Sequence, residues 1–510
     1  MRVHSHYFRG IVMIKKGSLK SILCLLTLCI TNNTTFCCCK TMQNIWSSIW
    51  SWLQPPVQNI KTITIDPQHM TWEQLSNLAS QVSLPTHDNR IAIIAQNNPE
   101  KQQEIIQQAQ HVHPIIHKKV LGLITNFLKL KKEYGSEIEK KVYKEMDSSQ
   151  FINRLLTKRP LTFWNPSDDY LLRNGVKGQG GFEAIGTSQQ KAPLILDEYL
   201  SYDEMQISAL LGVSVPTFFI NNGSRNNSGI PGAHGTFEEK GIYVGLVGTR
   251  FEKPGLMEWQ HMIITPEQNT TKNGYGINAD QNSPKTKLLK IWSDFYETTF
   301  ATFEDATHDT TGRYVKIGNN SYLDTIVFKK RLAIVIEPFL VDAHERGKQV
   351  NKKVYLHCVG LGLGVWAYPS ANKLQAQLML DVYQEILTRR KDLDHISDIN
   401  FSWFPTTELH CCGASNETSE PQKAQKIMND ITIRFSKRNP ADKLTGKDKE
   451  KLLVAMYAWD GNAYPGNEYW VGALTASGDP AAACCSTIAE LQNPLINPNV
   501  SAQNLFIVQS

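Results

Sequence analysis

Val354-Tyr-Leu-His-Cys-Val359 runs without a break into Gly360-Leu-Gly-Leu-Gly-Val-Trp-Ala-Tyr-Pro369. Residues 370–390 then place Leu374, Leu378, Val382, Tyr383, Ile386 and Leu387 on one helical face. An apolar run, a turn built on Gly360, Gly362 and Gly364, and a 3.6-residue period predict strand, loop and helix in that order. The same step recurs further on. Leu452–Ala458 is apolar and leads directly into Trp459-Asp-Gly-Asn-Ala-Tyr-Pro-Gly-Asn-Glu-Tyr-Trp470. After it, Ser477 and Pro480 mark a helix start, as a cap candidate and a first-turn proline. Further strands are expected at Thr217–Ile220, Gly241–Arg250, Leu332–Ile336 and Ile399–Trp403. Strands alternating with helices predict a layered α/β domain.

Three regions follow from the pattern. Residues 1–40 are signal-like: Lys15, Lys16 and Lys20 precede the short apolar stretch Ile22–Ile30. That stretch is too short to cross a bilayer as a helix, so a secretory segment is preferred to an anchor. An apolar extension ahead of a later start at Met13 is the alternative. Residues 41–160 form a helical N-terminal region, with Trp46, Trp50 and Trp52 in a tether and Val120, Leu121, Ile124 and Leu128 on an amphipathic helix. It reads as a cap or a partner-binding module. Residues 161–510 form the catalytic domain with insertions.

Composition excludes several classes. Of 510 residues, 41% are hydrophobic and 20% charged, enough for a sizeable core. The net charge of +5 is too thinly spread for a dedicated nucleic-acid binder. No later stretch is long and apolar enough to span a membrane. Ten cysteines, five of them in the first forty residues, do not form a disulfide framework.

The two loops carry the chemistry. A glycine-rich strand-to-helix turn presents N–H groups and a helix N-terminus, which favour phosphate. The spacing is GxGxG rather than GxGxxG, which disfavours a dinucleotide dehydrogenase. Asp460, Glu468 and Asp479 fall within twenty residues of one another around the second loop. Asp460 stands at a strand end, where open α/β sheets bind ligands. Asp479 stands at a helix start, where a cap is an equal reading.

The two loops together resemble those of macrodomains, the α/β/α modules that bind ADP-ribose. Gly360–Pro369 is similar to the second phosphate loop, and Asn462–Ala473 to the ribose-contacting loop of poly(ADP-ribose) glycohydrolases. Their order along the chain is reversed, which implies a rearranged three-layer core. A closer resemblance is to the MavL-type effector family of intracellular bacteria, whose members remove ADP-ribose from arginine on ubiquitin. It covers roughly residues 190–500, including Asp197–Asp203, Tyr243–Glu252 and Met257–Gln260. That family carries acidic residues spaced much like Asp460, Glu468 and Asp479, although Glu468 stands where an aspartate is expected.

The resemblance implies a secreted ADP-ribosyl hydrolase acting in a host cell, with no metal and no cofactor. Asp460 is expected to orient or deprotonate water, Glu468 to hold the ribose hydroxyls or assist the leaving guanidinium, and Asp479 to orient ribose or arginine. Gly360, Gly362, Gly364 and Val365 are expected to cradle the diphosphate. Asn462, Gly466 and Asn467 are expected on the distal ribose, and Trp366 or Tyr368 against the nucleotide. Glu337 and Asp342 are placed at a strand end within reach of adenine, or on the surface. The rivals are a non-enzymatic reader of ADP-ribosylated proteins and an ADP-ribosyltransferase handling NAD through Tyr202, Arg250 and Glu258-Trp-Gln260.

Overall fold

The computed structural model describes residues 69–404, 406–416 and 425–509. The signal-like segment and the tryptophans of the tether lie outside the described residues. Nine strands form the central sheet: β1 (His113–His117), β2 (Leu211–Phe218), β3 (Lys240–Leu246), β4 (Val354–Cys358), β5 (Ile396–Ser402), β6 (Gln425–Met428), β7 (Ile431–Ser436), β8 (Leu452–Ala458) and β9 (Phe506–Val508). Their spatial order is β6-β7-β5-β4-β8-β3-β2-β1-β9. The run β7-β5-β4-β8-β3 is parallel throughout, with Ala455 of β8 paired to His357 of β4 and to Tyr243 of β3. Outside it, β2 and β6 run antiparallel to their neighbours.

Four helices matter for the site: α1 (Lys118–Tyr134), α2 (Thr325–Gln349), α3 (Asn372–Arg389) and α4 (Gly478–Cys485). Strand β2 shows that both faces of the sheet are covered. Ser214 Oγ donates to Asp342 of α2 at 2.7 Å, and Thr217 Oγ1 meets Thr487 Oγ1, just beyond α4, at 2.7 Å. Residues three apart on a strand point to opposite faces. A sheet covered on both faces reads in sequence as unbroken apolar runs, as β4 and β8 do. The fold is α/β.

Region 69–160 forms the expected amphipathic helix as α1, with Val120, Ile124 and Leu128 buried. It also gives the sheet a strand: β1 pairs antiparallel with β2 and parallel with β9.

One expected strand is a helix. Leu332–Ile336 lies inside α2, where Leu332, Ile334, Val335 and Ile336 are all buried. An apolar β-branched run has no period when every side is covered, so it reads equally as a core strand or a buried helix. Glu337 and Asp342 move with it. Glu337 pairs with Arg389 and Arg390 of the α3 terminus. Asp342 accepts from Ser214 and faces His113 Nε2 at 2.6 Å. Both carboxylates are occupied within the fold.

Candidate active site

The carboxyl ends of β4, β8 and β3 stand side by side, and each releases a loop. The turn after β3 packs on the turn after β4 with no room to spare. A Cβ on Gly248 would lie 2.3 Å from Gly362 N, and one on Gly362 would lie 2.4 Å from Thr249 O. Gly362 also has φ +67°, which a side chain would strain. Phe251 N–H donates to Trp366 O at 2.8 Å. Trp366 Nε1–H then crosses to the third loop and donates to Asp460 Oδ1 at 2.9 Å. The two turns singled out in sequence therefore meet at Asp460.

Asp460 follows β8 and is almost fully buried. Its second oxygen accepts from Asn467 Nδ2 at 2.6 Å. Burial pushes its carboxyl up, against the pull of Trp366, Asn467 and the Arg250 charge. Asp479, in the first turn of α4, is fully buried, and its Oδ1 accepts from Gly466 N–H at 2.9 Å. Its Oδ2 has no partner among the described residues. Burial, then Asp460 and Glu468, hold its carboxyl well above the usual range. Glu468 is partly exposed; its carboxylate accepts from Ser477 Oγ at 3.4 Å, and the Arg225 charge pulls its carboxyl down. Burial and Asp460 push it up to about 7.

A fourth acid joins these three. Glu252, on the loop after β3, is half-buried and is pushed up to about 7 by burial, then by Asp460 and Asp168. Its neighbours fix its position: Phe251 is bonded to Trp366, and Lys253 pairs with Asp168. Glu252 ends the Tyr243–Glu252 stretch noted in sequence, but as one acid after a strand it gave no local signal of a role. Among the described residues, none of the four acids forms an ion pair with Lys or Arg.

The other expected binding residues divide by exposure. Gly364 is exposed, and a Cβ there would meet nothing within 4 Å; Val365 is 67% exposed. Among the described residues the amides of Gly364 and Val365 donate to no protein acceptor, so both are open to a ligand. Gly360 and Gly362 shape the turn instead, through close contact with Leu363 and Thr249.

Asn462 is fully buried; its Oδ1 accepts from Arg250 Nη1 at 2.5 Å and its Nδ2 faces Met257 Sδ at 3.3 Å. It braces the loop from within and does not reach the surface. Asn467 is likewise enclosed. It bridges Phe163 N and O to Asp460 and so positions that carboxylate. Gly466, at φ +103°, turns its amide onto Asp479. Tyr368 meets Ser321 Oγ at 2.8 Å through its hydroxyl.

Of the residues that suggested NAD handling, Arg250 and Glu258 form a core ion network, while Tyr202 donates to Asp168 and Trp259 packs on Tyr368. Glu258 accepts from Arg250 at 2.8 Å and 3.0 Å and from Arg331 at 3.2 Å, all fully or nearly fully buried. The N-terminal region buttresses the acidic loop from outside. Thr86 Oγ1 meets Tyr469 OH at 2.6 Å, and Asn89 Nδ2 donates to Ala483 O at 2.8 Å.

Carboxyls that form no ion pair with Lys or Arg among the described residues, at strand ends beside an exposed glycine turn, give an α/β site suited to hydrolysis. The comparisons give the class its particular form. The model of the family described as ADP-ribosylhydrolase MavL-like matches residues 74–510. Two proteins of Drosophila melanogaster are similar over most of their length. ADP-ribosylarginine hydrolase CG3568 is 41% identical over 417 residues, covering 80% of each chain. ADP-ribosylarginine hydrolase CG2909 is 37% identical over 434 residues, 84% of this chain and 85% of the relative. The chain belongs to the MavL-like ADP-ribosylhydrolase family. It is a hydrolase of ADP-ribosyl linkages.

Proposed function

We propose that the chain releases ADP-ribose from arginine side chains of modified proteins. The observation that carries this reading is the set of four carboxyls beside the Gly364–Val365 turn, Asp460, Glu468, Asp479 and Glu252, which among the described residues form no ion pair with Lys or Arg. A site of that sign attracts a cation, and an ADP-ribosylated guanidinium is one. The names of the two insect relatives point to the same linkage. The paired loops also support reading the sheet as a macrodomain-like core with rearranged loop order.

The chemistry divides among the acids by environment. Four close carboxyls disfavour one another's ionisation, and burial together with Asp460 and Glu468 favours the protonated form of Asp479. Asp460, held by Trp366 and Asn467, faces the ribosyl carbon as a charge that favours an oxocarbenium-like centre. Glu468, at about 7 and nearly free of partners, is poised as the base for water. This moves the base expected at Asp460 to Glu468, because hydrogen bonds already use both oxygens of Asp460. The bond between the ribosyl carbon and the guanidinium nitrogen breaks with its electron pair going to nitrogen. Guanidine therefore leaves neutral and needs no acid. Water oxygen bonds the carbon, Glu468 takes the water proton, and guanidine, far more basic, finally holds it. The amides of Gly364 and Val365 receive the diphosphate.

Release of labelled ADP-ribose from an arginine-modified protein tests the reading. Glu468→Gln should lower kcat by about 10²–10⁴-fold, and Asp460→Asn should stop hydrolysis while ADP-ribose still binds in calorimetry. Release from serine-linked but not arginine-linked substrate would refute the linkage; turnover by Glu468→Gln at the parent rate would refute the base. Ubiquitin as the modified protein, and delivery as a secreted bacterial effector, are proposals drawn from the resemblance and from residues 13–30. Arginine-modified ubiquitin as substrate and fractionation of expressing cells test them.

A further inference from the structure

A second cleft opens at the pole of the sheet opposite the acids. Its walls are the amino ends of β3 and β8, the last turn of α2 and the end of the helix Pro99–Gln110. Strand β8 separates the two sites: Leu452 lines the cleft, Asp460 follows Ala458, and the strand between them is about 20 Å long. The cleft has a volume of about 870 Å³, within the range that takes a small molecule.

Its charges do not balance. Every carboxylate in the wall already has a partner: Glu104 pairs with Lys240 at 2.8 Å, Glu238 with Lys443 at 3.4 Å, and Glu239 with His234. Lys451 is held by Asp398 and by Asp448. That leaves Lys352 and Lys449, both exposed on the rim, with no ion pair among the described residues.

The floor carries two polar side chains with bonding capacity left over. Arg346 and Gln108 are each only 5% exposed. Arg346 Nη2 donates to His111 O at 2.9 Å and to Ser214 Oγ at 3.1 Å. The first bond covers a helix-end carbonyl that would otherwise repel an anion. Arg346 Nε stands 3.5 Å from Asp342 Oδ1 without a hydrogen bond, and Nη1 donates to no acceptor among the described residues. Asp342 is itself shared with His113 and Ser214. Gln108 Oε1 is buried and unpartnered. A glutamine amide can turn about its last torsion to present N–H instead. Buried polar groups left without partners call for one, and here the missing partner is an acceptor.

We propose that this cleft binds an oligophosphate, two or three linked phosphoryl groups, between Arg346 and Gln108 on the floor and Lys352 and Lys449 on the rim. A guanidinium edge matches phosphoryl oxygens, and lysines add point charges around them. No Phe, Tyr or Trp lines the cleft, so a nucleobase gains no stacking surface and the phosphates carry the recognition. The site is independent of the acids and of the glycine turn.

Calorimetric titration of the full chain with inorganic tripolyphosphate and with ATP, at matched ionic strength, tests it. One saturable site is expected, with comparable affinity for the two. Lys352→Glu combined with Lys449→Glu should weaken tripolyphosphate about tenfold and still release ADP-ribose from arginine-modified protein at the parent rate. Gln108→Leu, which changes no charge, should weaken it about tenfold as well. Lys129→Glu, on the exposed side of α1, should leave the affinity unchanged. A parent chain without saturable tripolyphosphate binding overturns the proposal, as does a double variant that binds like the parent. Hydrolysis lost together with binding overturns it too, because the anion would then sit at the catalytic site. Equal weakening by Lys129→Glu would reduce the effect to diffuse charge, and binding of ATP alone would assign recognition to the base; either result overturns the oligophosphate site.

Discussion

Replacing Trp366 with Phe removes one hydrogen bond and little else from the site. Trp366 Nε1–H donates to Asp460 Oδ1 at 2.9 Å, and its ring is nearly buried among the three loops. A hydrogen bond to a charged acceptor contributes about 1.5–3 kcal/mol. At 1.36 kcal/mol per pKa unit, its loss should raise the Asp460 carboxyl by about 1–2 units, because the bond favours the ionised form. Burial already pushes that carboxyl up, and Asn467 and Arg250 are then left to oppose it. Asp460 and Glu468 must both be ionised for turnover, so the acid limb of the kcat–pH profile should steepen and move to higher pH, with activity recovered in alkaline buffer. Single-turnover release of ADP-ribose across pH 5–9, beside a thermal melt of each variant, checks it. An acid limb that stays put in a variant folded as stably as the parent would show that the Asp460 charge is not what Trp366 serves.

Three further outcomes are expected. Gly362→Ala should unfold the junction of the loops and abolish ADP-ribose binding, whereas Gly364→Ala, with open space around it, should melt like the parent; differential scanning calorimetry separates them. Glu468→Gln should raise the melting temperature at pH 8 and not at pH 4. The folded carboxyl is raised from 4.5 to about 7, so the folded state binds more protons between those values and stability falls as pH rises through them; the Gln variant regains up to about 3 kcal/mol above pH 7. Arg250→Met should destabilise by about 3–5 kcal/mol, because Glu258 stays buried with only Arg331 to pair it and Asn462 loses its donor; urea titration measures it.

Much of the site was legible before folding was considered. The apolar runs of β4 and β8 and the glycines and acids that follow them form local strand-to-loop steps, and each step carries its own composition. The α2 helix was not legible at Leu332–Ile336, because burial on every side erases the period that separates helix from strand. Glu252 was hidden for another reason: it is one acid among 48 acidic residues until the turn after β3 packs on the turn after β4.

Residue types alone determined that one loop offers bare amides and another offers carboxyls, since glycine spacing and acidic spacing are properties of a few consecutive positions. The tertiary structure decided which polar groups remain available. Asn462, Gly466, Asn467 and Trp366 share the composition of ligand contacts, yet the fold turns them onto Arg250, Asp479 and Asp460. Hydrogen-bond capacity belongs to the residue, but its partner belongs to whichever strand lies alongside, and strand order is settled only when the sheet closes.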